Sequence, residues 1–376
     1  MNVDELSSDL LLKEAEFIHC ACYYRTAFTH LHQGYETAEN TRNLDELLQY
    51  HSELTNLGAA YSRPVVTHSS LNSKMGNIVG LIADGKDRKV VPTFYPDLDD
   101  MLNGGLPEKT LTILAAEVHG GKTQALINMA HRQAQNGKNV LCVTLEMSEM
   151  DYMHRFISLI SDIPLYELQD QDKSPSVQKR LSTFQSTWAD NLSGQYGNIH
   201  IVDHDDGEFS AAQLQQHILR YGSDNIDIVY IDYLNLMNPS VPFRAADTYA
   251  TAKKIAEELR LLAKKMSIPI VTATQVNRPG MNTKLEELDM NYVSESIGVP
   301  ATADLMLFLA GRDDSGKKHE GEKRYKIVKN RMAPFTDSIE LFYTDAHTLK
   351  MYDSSEMDIW LKDQELTRDL MSRETL

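Results

Sequence analysis

Leu111-Thr-Ile-Leu-Ala-Ala-Glu-Val-His-Gly-Gly-Lys-Thr123 decides the fold of this chain. An apolar run enters a loop of small residues that closes on Gly120-Gly121-Lys122-Thr123, and a helical pattern follows. Backbone N–H groups in such a loop wrap phosphate oxygens, and the helix N-terminus adds positive partial charge. Lys122 would reach the β- and γ-phosphates, and Thr123 would place its hydroxyl on Mg²⁺. The stretch Ala116, Glu117, Val118, His119, Gly120, Gly121, Lys122, Thr123 and Gln124 is therefore expected to hold ATP, with His119 filling the loop rather than acting as a base. The pattern departs from G-x-x-x-x-G-K-[ST] at its first position, where Ala116 stands; alanine is small enough for a tight turn but limits φ.

Outward from this loop, from about Val90 on, apolar runs alternate with longer helical patterns. Leu111–Ala115, Val140–Leu145, Ile199–Val202, Ile226–Ile231 and Ile268–Thr272 read as strands, continuous in the manner of buried parallel strands. Lys122–Gln135, Ala211–Tyr221 and Thr251–Met266 read as helices between them. This β-α-β rhythm predicts an α/β fold with a mostly parallel sheet and flanking crossover helices. Leu305–Leu309, Arg324–Val328 and Ser338–Phe342 read as later strands. Met147, Met150 and Met153 follow the second strand at a spacing that suits core packing, and Cys142 lies within an apolar run.

Three strand ends carry chemistry. Glu146 follows Val140–Leu145, where ligands bind in open α/β sheets, and could polarise water for attack on a γ-phosphate. The competing role is a capping Glu before Ser148-Glu149. Asp227-Ile-Val-Tyr-Ile-Asp232 is an apolar strand ending in an acid, the pattern that orients Mg²⁺ in phosphate-loop proteins. Gln275 stands just past Ile268–Thr272 and is a candidate γ-phosphate sensor.

Composition bounds the rest. The 376 residues are 42% hydrophobic and 24% charged, which excludes wholesale disorder, collagen and a membrane channel. The longest apolar runs are far short of the roughly 20 residues of a membrane span. The N-terminus is acidic where a secretion signal is basic. Three cysteines make no disulfide framework, so a reducing, cytoplasmic setting is expected. Cys20 and Cys22 point to different sides of a helix, which argues against zinc. The net charge of −17 argues against a generally basic nucleic-acid binder and leaves room only for a local basic lining. The expected division is a small helical region (1–62), a connector with a linker helix (63–89), the α/β domain (90–352) and a polar helical tail (353–376).

Taken in order, the motifs resemble the ATPase domain of the replicative DnaB-family helicases, a RecA-like phosphate-loop fold. Ala116-Glu-Val-His-Gly-Gly-Lys-Thr123 resembles the family's Ala-x-Pro-x-x-Gly-Lys-Thr without its proline. Thr144-Leu-Glu-Met147, Ile231-Asp-Tyr-Leu-Asn-Leu-Met237 and Thr274-Gln-Val-Asn-Arg278 resemble further blocks. So do Glu295-Ser with Ala303-Asp304, and Lys329-Asn-Arg331.

The resemblance implies a hexameric ring with its active site split between subunits. Lys122, Thr123, Glu146, Asp232 and Gln275 would act in cis, and Arg331, with Lys329 beside it, would be the neighbour's arginine finger. It implies ATP and Mg²⁺, 5′→3′ translocation on single-stranded DNA, and partners that include a primase and a helicase loader. DNA would be met by two loops, at about 238–251 and 277–294, with Arg244, Arg278 and Lys284 as basic contacts, although Glu286, Glu287 and Asp289 make the second loop acidic. The basic stretch Arg312 to Arg331 would serve the subunit interface or the DNA. The segment before the connector is shorter than the family's usual collar, as in a compact phage-type member. Leu71 to Ala83 falls where the family docks a linker helix on the next subunit. A RecA-like strand-exchange recombinase shares the loop and carboxylates, and a ring-forming regulatory ATPase without unwinding activity fits the acidic balance. The complete Ile-Asp-Tyr-Leu-x-Leu-Met and Lys-x-Arg blocks favour the helicase.

Overall fold

The computed structural model describes residues 89–362 apart from 192–195, 205–206, 242–247, 278–284, 294–297, 312–320 and 333–338, together with Glu365 and a few single positions before residue 84. The chain divides into two compact units, residues 1–84 and 85–376. The expected N-terminal helices, with Cys20 and Cys22, lie outside the described residues. Of the expected linker helix, Met75, Val79 and Ile82 are helical and exposed.

The second unit opens with β1 (Val90–Val91), α1 (Pro96–Met101) and β2 (Leu106–Pro107), where β1 and β2 pair antiparallel. The main run follows: β3 (Leu111–Ala116), α2 (Lys122–Gln135), β4 (Val140–Thr144), α3 (Glu149–Ser161), α4 (Leu165–Gln169) and α5 (Pro175–Asn191). It continues through β5 (Ile199–Asp203), α6 (Ala211–Tyr221), β6 (Ile228–Asp232), α7 (Thr248–Met266), β7 (Ile270–Gln275) and α8 (Gly298–Thr302). It ends with β8 (Leu305–Ala310), β9 (Glu322–Asn330), β10 (Ile339–Thr344) and β11 (Met351–Asp353).

Nine strands form one sheet in the order β11-β10-β9-β8-β3-β7-β6-β4-β5. From β8 to β5 every neighbouring pair is parallel; β9, β10 and β11 extend the β8 side antiparallel. The central strands are apolar on both sides because both faces are covered. Leu111, Ile113 and Ala115 pack with α6 and α7, while Leu114 and Ala116 pack with α2 and α3. All six residues of β3 are buried, so the phosphate loop leaves from the middle of the core.

Local signals place most boundaries. α2 and α6 span the expected residues, and α6 is closed by a capping box between Ser210 and Gln213. β9 is longer than its expected Arg324–Val328, because its charged residues continue the ladder to β10. Met150 departs from the expected core role at 60% exposure. The buried face of α3 is drawn by Tyr152, Phe156 and Leu159, at i, i+4 and i+7, and Met150 lies off it. Cys142 is fully buried as expected.

Candidate functional site

Four adjacent parallel strands, β3, β7, β6 and β4, end at one edge of the sheet. Register sets Ala116 beside Gln275 and Thr144 beside Asp232. The loop and the three motif ends, distant in sequence, meet because parallel strands bring their C-termini to the same side.

In the loop, the Gly120 N–H donates to the Glu117 carbonyl at 2.9 Å. A Cβ at Gly120 would stand 2.9 Å from that carbonyl oxygen and 3.0 Å from Ala116 Cβ, so the turn requires glycine there. The left-handed backbone falls on His119 and Gly121, with φ of 58° and 96°. Ala116 is the last residue of β3 and is not among the positive-φ positions, which explains why alanine serves where the usual pattern has glycine. Lys122 is 9% exposed, and its ammonium donates to the Glu117 carbonyl at 3.1 Å. Burial lowers its pKa, opposed by the charges of Asp232 and Glu146.

The Thr123 hydroxyl donates to Asp232 Oδ2 at 2.7 Å. Asp232 is 1% exposed. Burial pushes its pKa up to about 6; the Thr123 hydrogen bond works against the rise, Glu146 adds to it, and Lys122 and Arg155 oppose it. Its other oxygen, Oδ1, is buried with no hydrogen-bond partner in the protein. A carboxylate oxygen left open beside a hydroxyl is the donor set a hard divalent cation takes, so these residues fit Mg²⁺.

Glu146 is exposed on the turn after β4. The Thr144 hydroxyl donates to the Met147 carbonyl at 2.8 Å and accepts from the Met147 N–H at 3.2 Å, which shapes that turn. Ser148, not Glu146, caps α3 by accepting from the Asp151 N–H, leaving the Glu146 carboxylate outside the cap. Gln275 Nε2 donates to the Tyr233 hydroxyl at 3.4 Å, and Lys122 Nζ stands 5.9 Å from the centre of the Tyr233 ring. Tyr233 therefore stands between Gln275 and the loop lysine, a place that only its position beside Asp232 hinted at. Arg155 of α3 also faces Asp232, and its Nε is buried with no hydrogen-bond partner. Nothing in the sequence marked it.

Lys329 and Arg331 are not brought to this edge. β9 runs antiparallel to β8, so Asn330 pairs with Leu305 at the far end of the sheet. The length of β3, about 17 Å at 3.3 Å per residue, separates them from the loop. Arg331 contacts Asp304 Oδ1 at 3.4 Å and donates to the Ala301 carbonyl at 2.8 Å. Lys329 donates to the Pro300 and Ala301 carbonyls at 2.6 and 2.7 Å. Burial, followed by the Arg331 charge, lowers its pKa to about 8. Arg260 grips the same Asp304 at 2.7 Å.

Arg244, Arg278 and Lys284 lie outside the described residues. Of the acidic residues in the second loop, Glu287 and Asp289 are exposed. The basic stretch does not act as one patch: Lys326 is 5% exposed and donates to the Leu288 carbonyl at 3.2 Å, anchoring the second loop. Among the described residues no helix is long and apolar enough to cross a membrane.

Residues 90–351 match the model of the DnaB-like helicase C-terminal domain family. The DnaB-like replicative helicase of Enterobacteria phage T4 is 29% identical over 226 residues, covering 59% of this chain and 46% of the relative. The replicative DNA helicase DnaB of Helicobacter pylori (strain J99) is 26% identical over 223 residues, covering 58% of this chain and 43% of the relative. The match thus spans less than half the length of either. The fold is shared with a DnaB-like replicative helicase solved to show its interactions with primase (TM-score 0.63, 19% identity, 90% of this chain and 78% of that one). A separately solved ATPase domain shares it as well (TM-score 0.64, 20% identity, 76% of this chain and 99% of that one).

Proposed function

The chain belongs to the DnaB-like helicase C-terminal domain family, and on that premise we propose that it is an ATP-driven replicative DNA helicase that works as a hexameric ring, moves 5′→3′ along single-stranded DNA and opens duplex at the fork. The observation that carries this reading is the Thr123–Asp232 hydrogen bond beside Lys122, at the edge where Glu146 and Gln275 also end.

Thr123 and Asp232 are the residues that would hold Mg²⁺, through the hydroxyl and the open Oδ1. Bound Mg²⁺ supplies neutralisation of phosphate charge and polarises the phosphorus for in-line attack. Lys122 leaves the Glu117 carbonyl to meet the β- and γ-phosphates. Glu146, exposed and next to this edge, orients the attacking water and accepts its proton. Gln275 reads the γ-phosphate and passes its state to the loop beyond β7, with Tyr233 as the shared contact. Arg331 and Lys329, at the opposite end of the sheet from their own loop, serve the neighbouring subunit's site. Exposed Met75, Val79 and Ile82 support a linker helix that docks on another subunit. A primase and a helicase loader are the expected protein partners, and the chain's setting is the cytoplasm.

Forked duplexes carrying only a 5′ or only a 3′ tail test the reading. With ATP and Mg²⁺, strand separation should require the 5′ tail and vanish in Lys122→Ala. DNA-stimulated hydrolysis that drives strand exchange instead of unwinding would favour a recombinase. Neither unwinding nor DNA stimulation would point to a regulatory ring ATPase.

A further inference from the structure

We propose that Lys323 is a second cation of the nucleotide site, acting in cis on the α-phosphate end of the nucleotide rather than on the γ-phosphate. The inference rests on the nucleotide-binding reading of the phosphate loop given above.

A cavity of about 360 Å³ adjoins the loop. His119, Gly120 and Gln124 form one wall, and Gly311 and Lys323 face them. Lys323 lies near the start of β9, beside the C-terminal end of β8, and β8 is the neighbour of β3. A methyl group built on Gly121 would stand 3.5 Å from Lys323 Cε and 3.7 Å from its Nζ; one built on Gly311 would stand 3.2 Å from Nζ. The ammonium therefore hangs over the loop at the N-terminus of α2, where the N–H groups that take phosphate oxygens begin.

Sheet order decides which phosphate it meets. β3 divides the sheet: β7, β6 and β4 lie on one side with Gln275, Asp232 and Glu146, and β8 and β9 lie on the other with Lys323. The groups that handle Mg²⁺ and the attacking water fix the γ-phosphate on the first side. The loop holds the middle of the triphosphate, so its α-phosphate end trails into the cavity on the second side. Lys122 and Lys323 thus address opposite ends of one polyphosphate. The glycines also matter: with φ of 96°, Gly121 presents no side chain to the Lys323 stem, and Gly311 keeps the opposite wall open.

A cation on the α-phosphate touches ATP and ADP alike, and it gains nothing as the γ-phosphate departs. Competition of ATP and of ADP against a fluorescent ADP derivative, on the full chain with Mg²⁺, measures this directly. Lys323→Met should weaken both nucleotides by the same factor, about tenfold for one charge-assisted contact at a half-exposed site. Turnover at saturating ATP should stay within about twofold, and Lys323→Arg should restore affinity. Lys323→Gln gives the same neutralisation on a polar side chain if the methionine variant does not fold. Weakening of ATP without ADP would place the contact at the γ-phosphate and overturn the proposal. Unchanged affinities, or lost turnover at unchanged affinity, would overturn it too. Lys122→Ala separates the two readings: if it leaves nucleotide binding intact, the nucleotide site itself is misassigned, whatever Lys323 does.

Discussion

Thr123 donates its hydroxyl proton to Oδ2 of Asp232 at 2.7 Å, joining residues 109 positions apart in the chain. The bond links the first turn of α2 to the end of β6 and holds one carboxylate oxygen while the other stays open. The site is thereby arranged around a buried charge that the protein alone only half satisfies.

That arrangement has a stability consequence. Asp232 has its pKa raised from 3.8 to about 6 in the folded chain. The folded state binds more protons than the unfolded state between these values, so stability falls as pH rises from about 4 to about 6 and stays lowered above it. The cost of the buried charge is on the order of 3 kcal/mol at neutral pH. Asp232→Asn keeps an acceptor for Thr123 and removes the charge. Without nucleotide or Mg²⁺ it should unfold at a higher temperature than the parent at pH 8, with the gap closing near pH 5, and it should hydrolyse no ATP. Thermal denaturation at the two pH values checks both the sign and the site.

Arg331 and the phosphate loop lie at opposite ends of the sheet, so a finger at this position can act only between subunits. Arg331→Ala should bind ATP within a few-fold of the parent while turnover falls about 10³-fold or more. Glu146→Gln should be equally inactive. Mixing the two proteins should return part of the activity, because some interfaces regain both groups. Mixtures no more active than their components would remove the split-site assignment.

Lys329 offers a pH test of the proposed split site. With its pKa lowered to about 8, it loses its charge as pH rises through that value. If its cation serves the neighbour's phosphates, turnover should decline above pH 8. Lys329→Arg, which stays charged, should be flat over that range. A decline of equal shape in both proteins would assign the titration to another group.

Asp304 supports the far end of the sheet. Its carboxylate, 1% exposed, takes Arg260 at 2.7 Å, the Leu111 N–H at 3.2 Å and Arg331 at 3.4 Å. Burial would raise its pKa, but the Arg260 hydrogen bonds, the Leu111 N–H and the charges of Arg260 and Arg331 together hold it below the ordinary carboxylate value. A depressed carboxylate adds stability above the unfolded value that is lost as pH falls through the folded one. Asp304→Ala should cost about 3 kcal/mol near pH 7, since it leaves Arg260 and a buried N–H without their acceptor. The penalty should begin to shrink below about pH 4, where the unfolded chain's carboxylate takes up a proton that the folded one still refuses, and vanish only below the folded value. Urea unfolding at pH 7 and pH 3 measures the difference.

Much of the fold is legible in the sequence because its signals are local. The phosphate loop is a strand, a turn of small residues and a helix in one stretch, and α2 and α6 carry their periodicity and caps within themselves. Apolar runs announce the parallel strands because both faces of the sheet are covered. Glu146, Asp232 and Gln275 can be picked out because each stands at a strand end, where a parallel sheet must gather them. Spacing misleads at Met150, because the face of α3 that packs is chosen by Tyr152, Phe156 and Leu159 against the sheet, not by the methionines.

By itself, then, the sequence determined the chemistry available: a phosphate loop, strand-end carboxylates, a glutamine and a basic C-terminal stretch. Only the tertiary structure decided who meets whom. Strand order is a long-range property, set by pairing between distant parts of the chain, and no local pattern encodes it. It alone places Tyr233 against Gln275 and Lys122, and leaves Asp232 with one open oxygen. It also sends the two ends of one strand apart: Lys323 lies beside the chain's own loop, and Lys329, with Arg331 just past the strand, lies at the far edge. An antiparallel β9 beside a parallel β8 makes that division unavoidable, since its two ends must emerge at opposite ends of the sheet.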